Sequence, residues 1–266
     1  MFWGVKVREL WLGGLLVLSL AAGGSLPADA DGKGGLPVDL ELVIAADVST
    51  SMDRAEKDLQ QGGFIAAFRD GQVHRAIALG PLGRIAVTYV EWGGSDRQRV
   101  VVPWTLIDSP EAARAFADRL AEVSPGRLTY GTNMGDAIVF GLGQFAQSGF
   151  VGLRAAIDIS GDGKSNRGRP LHLARAAALA RGVVINGLPI VYDDEAPETV
   201  SFVENPDGKV PPAELIDYFL QEVIGGPGAF VIPVMNRQLY GEAIRAKLVR
   251  EIAGGPPEPR FSAVPP

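Results

Sequence analysis

Between residues 37 and 254 the chain alternates short apolar runs with longer stretches of helical composition. The first run, Leu42 to Ala46 within ELVIAADVSTS (41–51), stops at Asp47. A run this short, bounded by polar turn formers, predicts a buried strand over about 40–46. MDRAEKDLQQGGFIAAFRD follows and predicts a helix over about 53–69, with Leu59, Phe64, Ile65 and Phe68 facing inward and Asp70-Gly71 ending it. His74, Ile77 and Leu79 then read as a short connection. RIAVTYVEW (84–92) and VVVPW (100–104) read as two strands of an edge hairpin turned at Gly93-Gly94, with Pro103 ending the pairing. Ser109-Pro110-Glu111 opens a helix, with Ser as N-cap and Pro in the first helical position. Another helix is expected over about 134–147, a fourth strand in LRAAIDIS (153–160) and an alanine-rich helix from Pro170 to Arg181. GVVINGLPIV reads as strand five, PPAELIDYFLQEVI as a helix, GAFVIPVM as strand six and YGEAIRAKLVREIA as the last helix. The alternation predicts an α/β fold, a doubly wound, mostly parallel six-stranded sheet with one antiparallel edge strand.

Composition narrows the functions open to such a fold. The chain has 266 residues, 47% of them hydrophobic and 21% charged, which suits one large globular domain. There is no cysteine, so disulfides, thiolate metal sites and thiol nucleophiles are excluded. Two histidines, His74 and His172, leave little scope for a histidine-based zinc centre and read as surface or packing residues. A net charge of −6 argues against a nucleic-acid partner, whose phosphates most of the surface would repel. Lys6 and Arg8 precede an apolar stretch from Leu10 to Ala22, and Ala28-Asp29-Ala30 fits a small-x-small cleavage site. Residues 1–30 therefore read as a secretory signal peptide, too short in its apolar part to span a bilayer comfortably. The expected product is exported, periplasmic or extracellular, with no stable membrane insertion. Residues 31–36 read as a flexible lead-in, 37–254 as the domain and 255–266 as a disordered tail.

The chemistry gathers where the first strand ends. Asp47, Ser49 and Ser51 occupy one strand-to-helix turn, the place where open α/β sheets put ligand sites. One carboxylate and two hydroxyls are hard oxygen donors suited to Mg²⁺, Mn²⁺ or Ca²⁺. The same residues could also do no more than cap the following helix.

Asp47-x-Ser49-x-Ser51 resembles the first motif of the metal-ion-dependent adhesion site (MIDAS) of von Willebrand factor type A (vWA) domains. That family needs a threonine from a later loop and an aspartate ending a later strand. Thr132 in LTYGTNMGDAI and Asp162 in LRAAIDISGDGKSN stand in that order. The stretches FIAAFRD, VTYVEW, GGPGAFVIPV and RAKLVREIAG also look like a bacterial exported branch of vWA-like proteins of uncharacterised function, so the resemblance covers Pro37 to Gly254. It implies a Rossmann-like vWA fold and a cation held by Asp47, Ser49, Ser51, Thr132 and Asp162, Mg²⁺ first and Ca²⁺ or Mn²⁺ as alternatives. It further implies a protein partner whose Asp or Glu carboxylate completes the coordination sphere.

Enzyme readings fare worse on the same residues. Gly163-Lys164-Ser165 hints at a phosphate loop, but the full pattern needs glycine at position 158, which is Asp158. Asp47-x-Ser49 lacks the second acid of the Asp-x-Asp phosphatase motif, and no Gly-x-Ser-x-Gly elbow occurs. Gly225-Gly226-Pro227-Gly228 precedes a strand and reads as a turn. With no catalytic base to name, the expectation is a non-enzymatic binding module. The alternatives are a metal-dependent hydrolase or phosphotransferase, and a domain that the ion merely stabilises. Trp92 and Trp104 read as packing residues of the edge hairpin, and the acidic loop Asp193, Asp194, Glu195 and Glu198 as solvated or as a filter on acidic partners.

Overall fold

The computed structural model describes residues 34–94, 98–126, 131–191 and 211–254. The expected signal peptide (1–30), most of the lead-in, the acidic loop at 193–198 and the tail (255–266) lie outside the described residues.

At the centre of the sheet stands β1 (Leu36–Asp47), flanked by β2 (Ile85–Trp92) and β4 (Phe150–Gly161), both parallel to it. Beyond β2 lies β3 (Arg99–Ile107), antiparallel, and beyond β4 lies β5 (Val183–Pro189), parallel, so the order is β3-β2-β1-β4-β5. Helices cover both faces, which is why β1 is an almost unbroken apolar run. Its even-numbered residues Leu40, Leu42 and Ile44 pack with Phe64 and Phe68 of α1 (Arg54–Arg69), Val73 of α2 (Gly71–Ala78), Phe116 of α3 (Pro110–Ala121) and Ile244 and Leu248 of α7 (Tyr240–Ala253). Its odd-numbered Val43 and Ala45 face α4 (Met134–Phe145), α5 (Leu171–Ala180) and α6 (Pro212–Tyr218) through Ile138, Ala174 and Leu215. The period of two in the strand thus divides one apolar run between two cores. Phe64 meets Tyr89 edge-on at 5.6 Å, and burying each such ring is worth about 1.5–3 kcal/mol.

Three expectations need correction. The described sheet has five strands: GAFVIPVM runs beside β5 but holds only isolated bridges, Gly187 with Val231 and Ile190 with Val234. Pro189 and Pro233 each remove an N–H from what would be the ladder, so pairing survives only as single bridges before and after them. Pro103 does not end β3; pairing with β2 continues to Ile107 across a register shift between Val87 and Tyr89, and proline is accommodated at that irregularity of an edge strand. Residues 71–78 form α2 and not a connection. Asp70 closes α1 through its N–H to Ala67 and caps α2 by accepting from Gln72 N, so one residue ends a helix and starts the next. The last turn of the helix after Pro212 widens to π-helical geometry over Phe219–Val223.

Candidate metal centre

Parallel strands deliver Asp47 and Asp162 to the same carboxyl edge, since β1 and β4 are direct neighbours. A polar clamp holds the two strand ends together: Asp47 N donates to Ser160 Oγ at 3.2 Å, Ser160 Oγ donates to Gln60 Oε1 at 2.6 Å, and Gln60 Nε2 donates to Asp47 O at 2.9 Å. All three residues are buried, so the clamp costs little to order once the core has formed. Sequence reading missed Gln60 and Ser160. Gln60 sits on the inward stripe of α1 with Phe64, a polar residue where an apolar one was due, and that is the signal it offered.

Asp47 is fully buried, and its Oδ1 accepts from Ser49 N at 2.7 Å. Ser49 Oγ lies 2.9 Å from Ser51 Oγ, and Ser51 Oγ donates to Asp162 Oδ1 at 2.7 Å. Each hydroxyl has one proton, so Ser49 is the donor to Ser51 and the chain of bonds runs one way. Ser51 is exposed and Asp162 half-buried, which opens this side to solvent. The capping role falls to Asp53, which with Glu56 forms a reciprocal capping box on α1 and leaves the serines free of that duty.

Thr132 reaches the same edge from the loop before α4. Its N–H donates to Asn166 Oδ1 at 3.0 Å and its carbonyl accepts from Asn166 N at 2.9 Å, so Asn166 staples it from both sides. A Cβ built on Gly163, the residue after Asp162, would lie 3.9 Å from Thr132 Oγ1, which puts that hydroxyl beside the end of β4. Asn133 caps α4 by accepting from Asp136 N at 3.0 Å, with Gly168 (φ +77°) pressed on its amide. Asn166 is a further residue that sequence reading passed over, hidden in GDGKSN as an ordinary turn former.

All five residues expected to hold a cation therefore meet at one edge of the sheet. The second oxygen of Asp47, Oδ2, is buried with no hydrogen-bond partner, and a Cβ on Gly161 would come within 3.4 Å of it. An orphaned carboxylate oxygen is costly in a protein interior. Burial first, and then the Asp162 carboxylate, push the Asp47 carboxyl up to about 8, against the Ser49 hydrogen bonds and the Lys57 ammonium. Lys57, on the first turn of α1, is itself buried and shifted down mainly by that burial, with Asp47 and Asp162 opposing. Among the described residues no three His, Cys, Asp or Glu side chains gather as a metal cluster. The donors here are of another kind, two carboxylates and three hydroxyls, all hard oxygen, and they fit a Mg²⁺-like ion.

Residues 37–256 match the model of one family, described as a protein of unknown function (DUF1194). The chain belongs to that family. Its fold is vWA-like: solved vWA-type structures match with probability 1.00. Proximal thread matrix protein 1 of the mussel byssus superposes with a TM-score of 0.55 at 15% identity over 82% of this chain, which spans about half (49%) of that protein. A further form of that byssus protein is described with a zinc-occupied MIDAS motif, at TM-score 0.52 and 14% identity, covering 82% and 49% of the two chains. An aerotolerance-related membrane protein of Bacteroides fragilis gives 0.50 at 22% identity, covering 79% of this chain and 98% of its own. The pilus adhesin SpaC of Lactobacillus rhamnosus GG gives 0.51 at 13% identity, over 82% of this DUF1194 chain and 30% of its own. No curated protein matches.

The remaining candidates of the sequence take structural places. Trp92 is fully buried beneath the site and donates to Ala45 O at 3.1 Å, while Trp104 packs on Phe145 and donates to Gln144 O at 3.0 Å. His74 Nε2 lies 2.8 Å from Phe68 O, and His172 is exposed on α5.

Proposed function

We propose that this domain binds a divalent cation through Asp47, Ser49, Ser51, Thr132 and Asp162 and uses it to hold a carboxylate of a partner protein. The observation that carries the reading is Asp47 Oδ2, a buried acceptor with nothing to accept from, at the point where the other four residues converge. A divalent cation would supply the missing positive charge between Asp47 and Asp162 and, with hydroxyls as the other protein donors, would stay electrophilic toward an incoming carboxylate. The chain's own part is orientation. The Gln60–Ser160 clamp sets Asp47, the Asn166 staple sets Thr132, and the Ser49–Ser51–Asp162 chain of hydrogen bonds aligns the rest. The zinc-occupied MIDAS motif of the byssus protein, on a similar fold, supports this assignment. Mg²⁺ is the first choice of ion, with Ca²⁺ or Mn²⁺ next. No catalytic step is assigned.

The reading extends to an exported binding module. The pilus adhesin on a similar fold is in keeping with it. Titration calorimetry with Mg²⁺ on the wild-type domain and on Asp47→Ala tests the site, with binding expected in the first and lost in the second. Capture of envelope proteins, reversed by chelator and absent with a folded Asp47→Ala, is the expected second result. A wild-type domain that takes up none of the three cations would overturn the proposal.

A further inference from the structure

The loop after Asp162, GKSNRGRP, does more than bring Asn166 to Thr132. Gly131 stands at φ +100°, and in the space its missing Cβ leaves lies the stem of Arg167: a Cβ there would come 2.6 Å from Arg167 Cδ and 3.1 Å from its Nε. The Arg167 side chain is thus laid across the residue preceding Thr132. Arg167 is exposed, and among the described residues it makes no ion pair or hydrogen bond. The neighbouring charges are otherwise engaged. Lys164 pairs with Glu214, and Arg169 Nε lies 3.5 Å from Asp136 Oδ1. Beside Arg167 opens a cavity of about 360 Å³, lined by Asn166, Arg167, Arg169, His172, Tyr218 and Glu222. Asn166 belongs to both places: it walls the cavity and staples Thr132 through two hydrogen bonds. With Arg169 held by Asp136, Arg167 is the arginine of the lining that has no carboxylate partner among the described residues, on a chain whose net charge is −6.

We infer that the cavity at Arg167 receives a second carboxylate of the same partner, so that the ligand is an acidic peptide segment with two acidic side chains close together, one directed to the cation and one to Arg167. The inference rests on the metal-bridged reading above and names its ligand class. A guanidinium suits this role because its planar fork donates to both oxygens of a carboxylate, and because its stem is already seated on Gly131 and has little freedom left to lose.

The test uses capped glycine-rich peptides that carry two aspartates spaced by one to four glycines, each with a control in which one aspartate is asparagine. Affinities are measured by titration calorimetry at saturating Mg²⁺. For at least one spacing the two-acid peptide is expected to bind about tenfold tighter than its control. Arg167→Ala should bring the two together without changing Mg²⁺ affinity, and Arg167→Lys should restore part of the preference. A preference that survives in Arg167→Ala, or that the wild type lacks at every spacing, overturns the inference and leaves the metal reading standing. Failure of the wild type to bind Mg²⁺ overturns both. Two-acid binding that persists in chelator but needs Arg167 would keep the cavity's role and sink the metal bridge.

Discussion

Ser51 donates a 2.7 Å hydrogen bond to Asp162 across 111 residues of sequence, joining the turn after β1 to the end of β4. The bond lies on the side of the site that is open to solvent, and the cation proposed to sit beside it binds the folded state only. Mg²⁺ should therefore raise thermal stability by mass action, by about 2.7 kcal/mol at a hundredfold excess over its dissociation constant. Asp162→Ala and Asp47→Ala should abolish the rise. Melting curves with Mg²⁺ and with chelator check this, and a rise that persists in either variant would place the cation elsewhere.

Asn166 tests the second layer of the site. Replacing it with alanine removes the acceptor of Thr132 N–H while leaving every proposed ligand in place. Groups that orient ligands in this way typically govern about ten- to a hundredfold in metal affinity. Asn166→Ala should weaken Mg²⁺ binding by at least tenfold and cost only about 1 kcal/mol of stability, because the residue is exposed. Equal losses in affinity and stability would assign Asn166 to the fold alone. Calorimetry and melting curves on one preparation separate the two.

What the sequence disclosed and what it hid follow from the range of the interactions. Asp47, Ser49 and Ser51 were legible because one tight turn fixes their spacing, and the strands were legible because both faces of the sheet are apolar. Thr132 and Asp162 could be chosen only by order and context, since the contact that joins them to Asp47 is tertiary. Gln60, Ser160 and Asn166 went unread: each acts through bonds to the backbone of a distant segment or to another hidden residue, and the one local mark was a glutamine on the apolar stripe of α1. The sixth strand and the end of β3 were misjudged at prolines, Pro233 and Pro103, whose effect depends on which side of the strand needs a donor. The break between α1 and α2 was misread because Asp70 serves two helices, whereas Asp-Gly in isolation announces a turn.

Gly168 offers a check on the cap of α4. It sits at φ +77°, and a Cβ there would fall 1.8 Å from Asn133 Nδ2. Gly168→Ala adds left-handed strain of about 1–2 kcal/mol and forces the Asn133 amide away, losing a cap worth about 1 kcal/mol. The variant should lose about 2–3 kcal/mol by denaturant titration and also bind Mg²⁺ more weakly, because Asn133 adjoins Thr132. A loss below about 0.5 kcal/mol would mean that the loop moves freely off Asn133.

A pH dependence is built into the other core. Asp158 on β4 is buried with Lys247 of α7, 2.6 Å away, and Lys247 also holds Glu251 Oε1 at 2.9 Å, where Asn186 donates as well at 2.8 Å. Two acids thus share one ammonium. Burial first, and then the Glu251 carboxylate, push the Asp158 carboxyl up to about 7, against the pull of Lys247. An unfolded aspartate releases its proton near 3.9. Between that value and about 7 the folded state binds more protons than the unfolded one, so unfolding free energy falls as pH rises through the window and levels off above it. Asp158→Asn has no such proton to lose and leaves Lys247 paired one-to-one with Glu251. In chelator the wild type should therefore lose roughly five to ten degrees of melting temperature relative to Asp158→Asn on going from about pH 5 to about pH 8. Asp47 shifts in the same direction in both proteins and cancels from that difference. Parallel curves would mean that the Asp158 carboxyl does not hold this proton in the folded state.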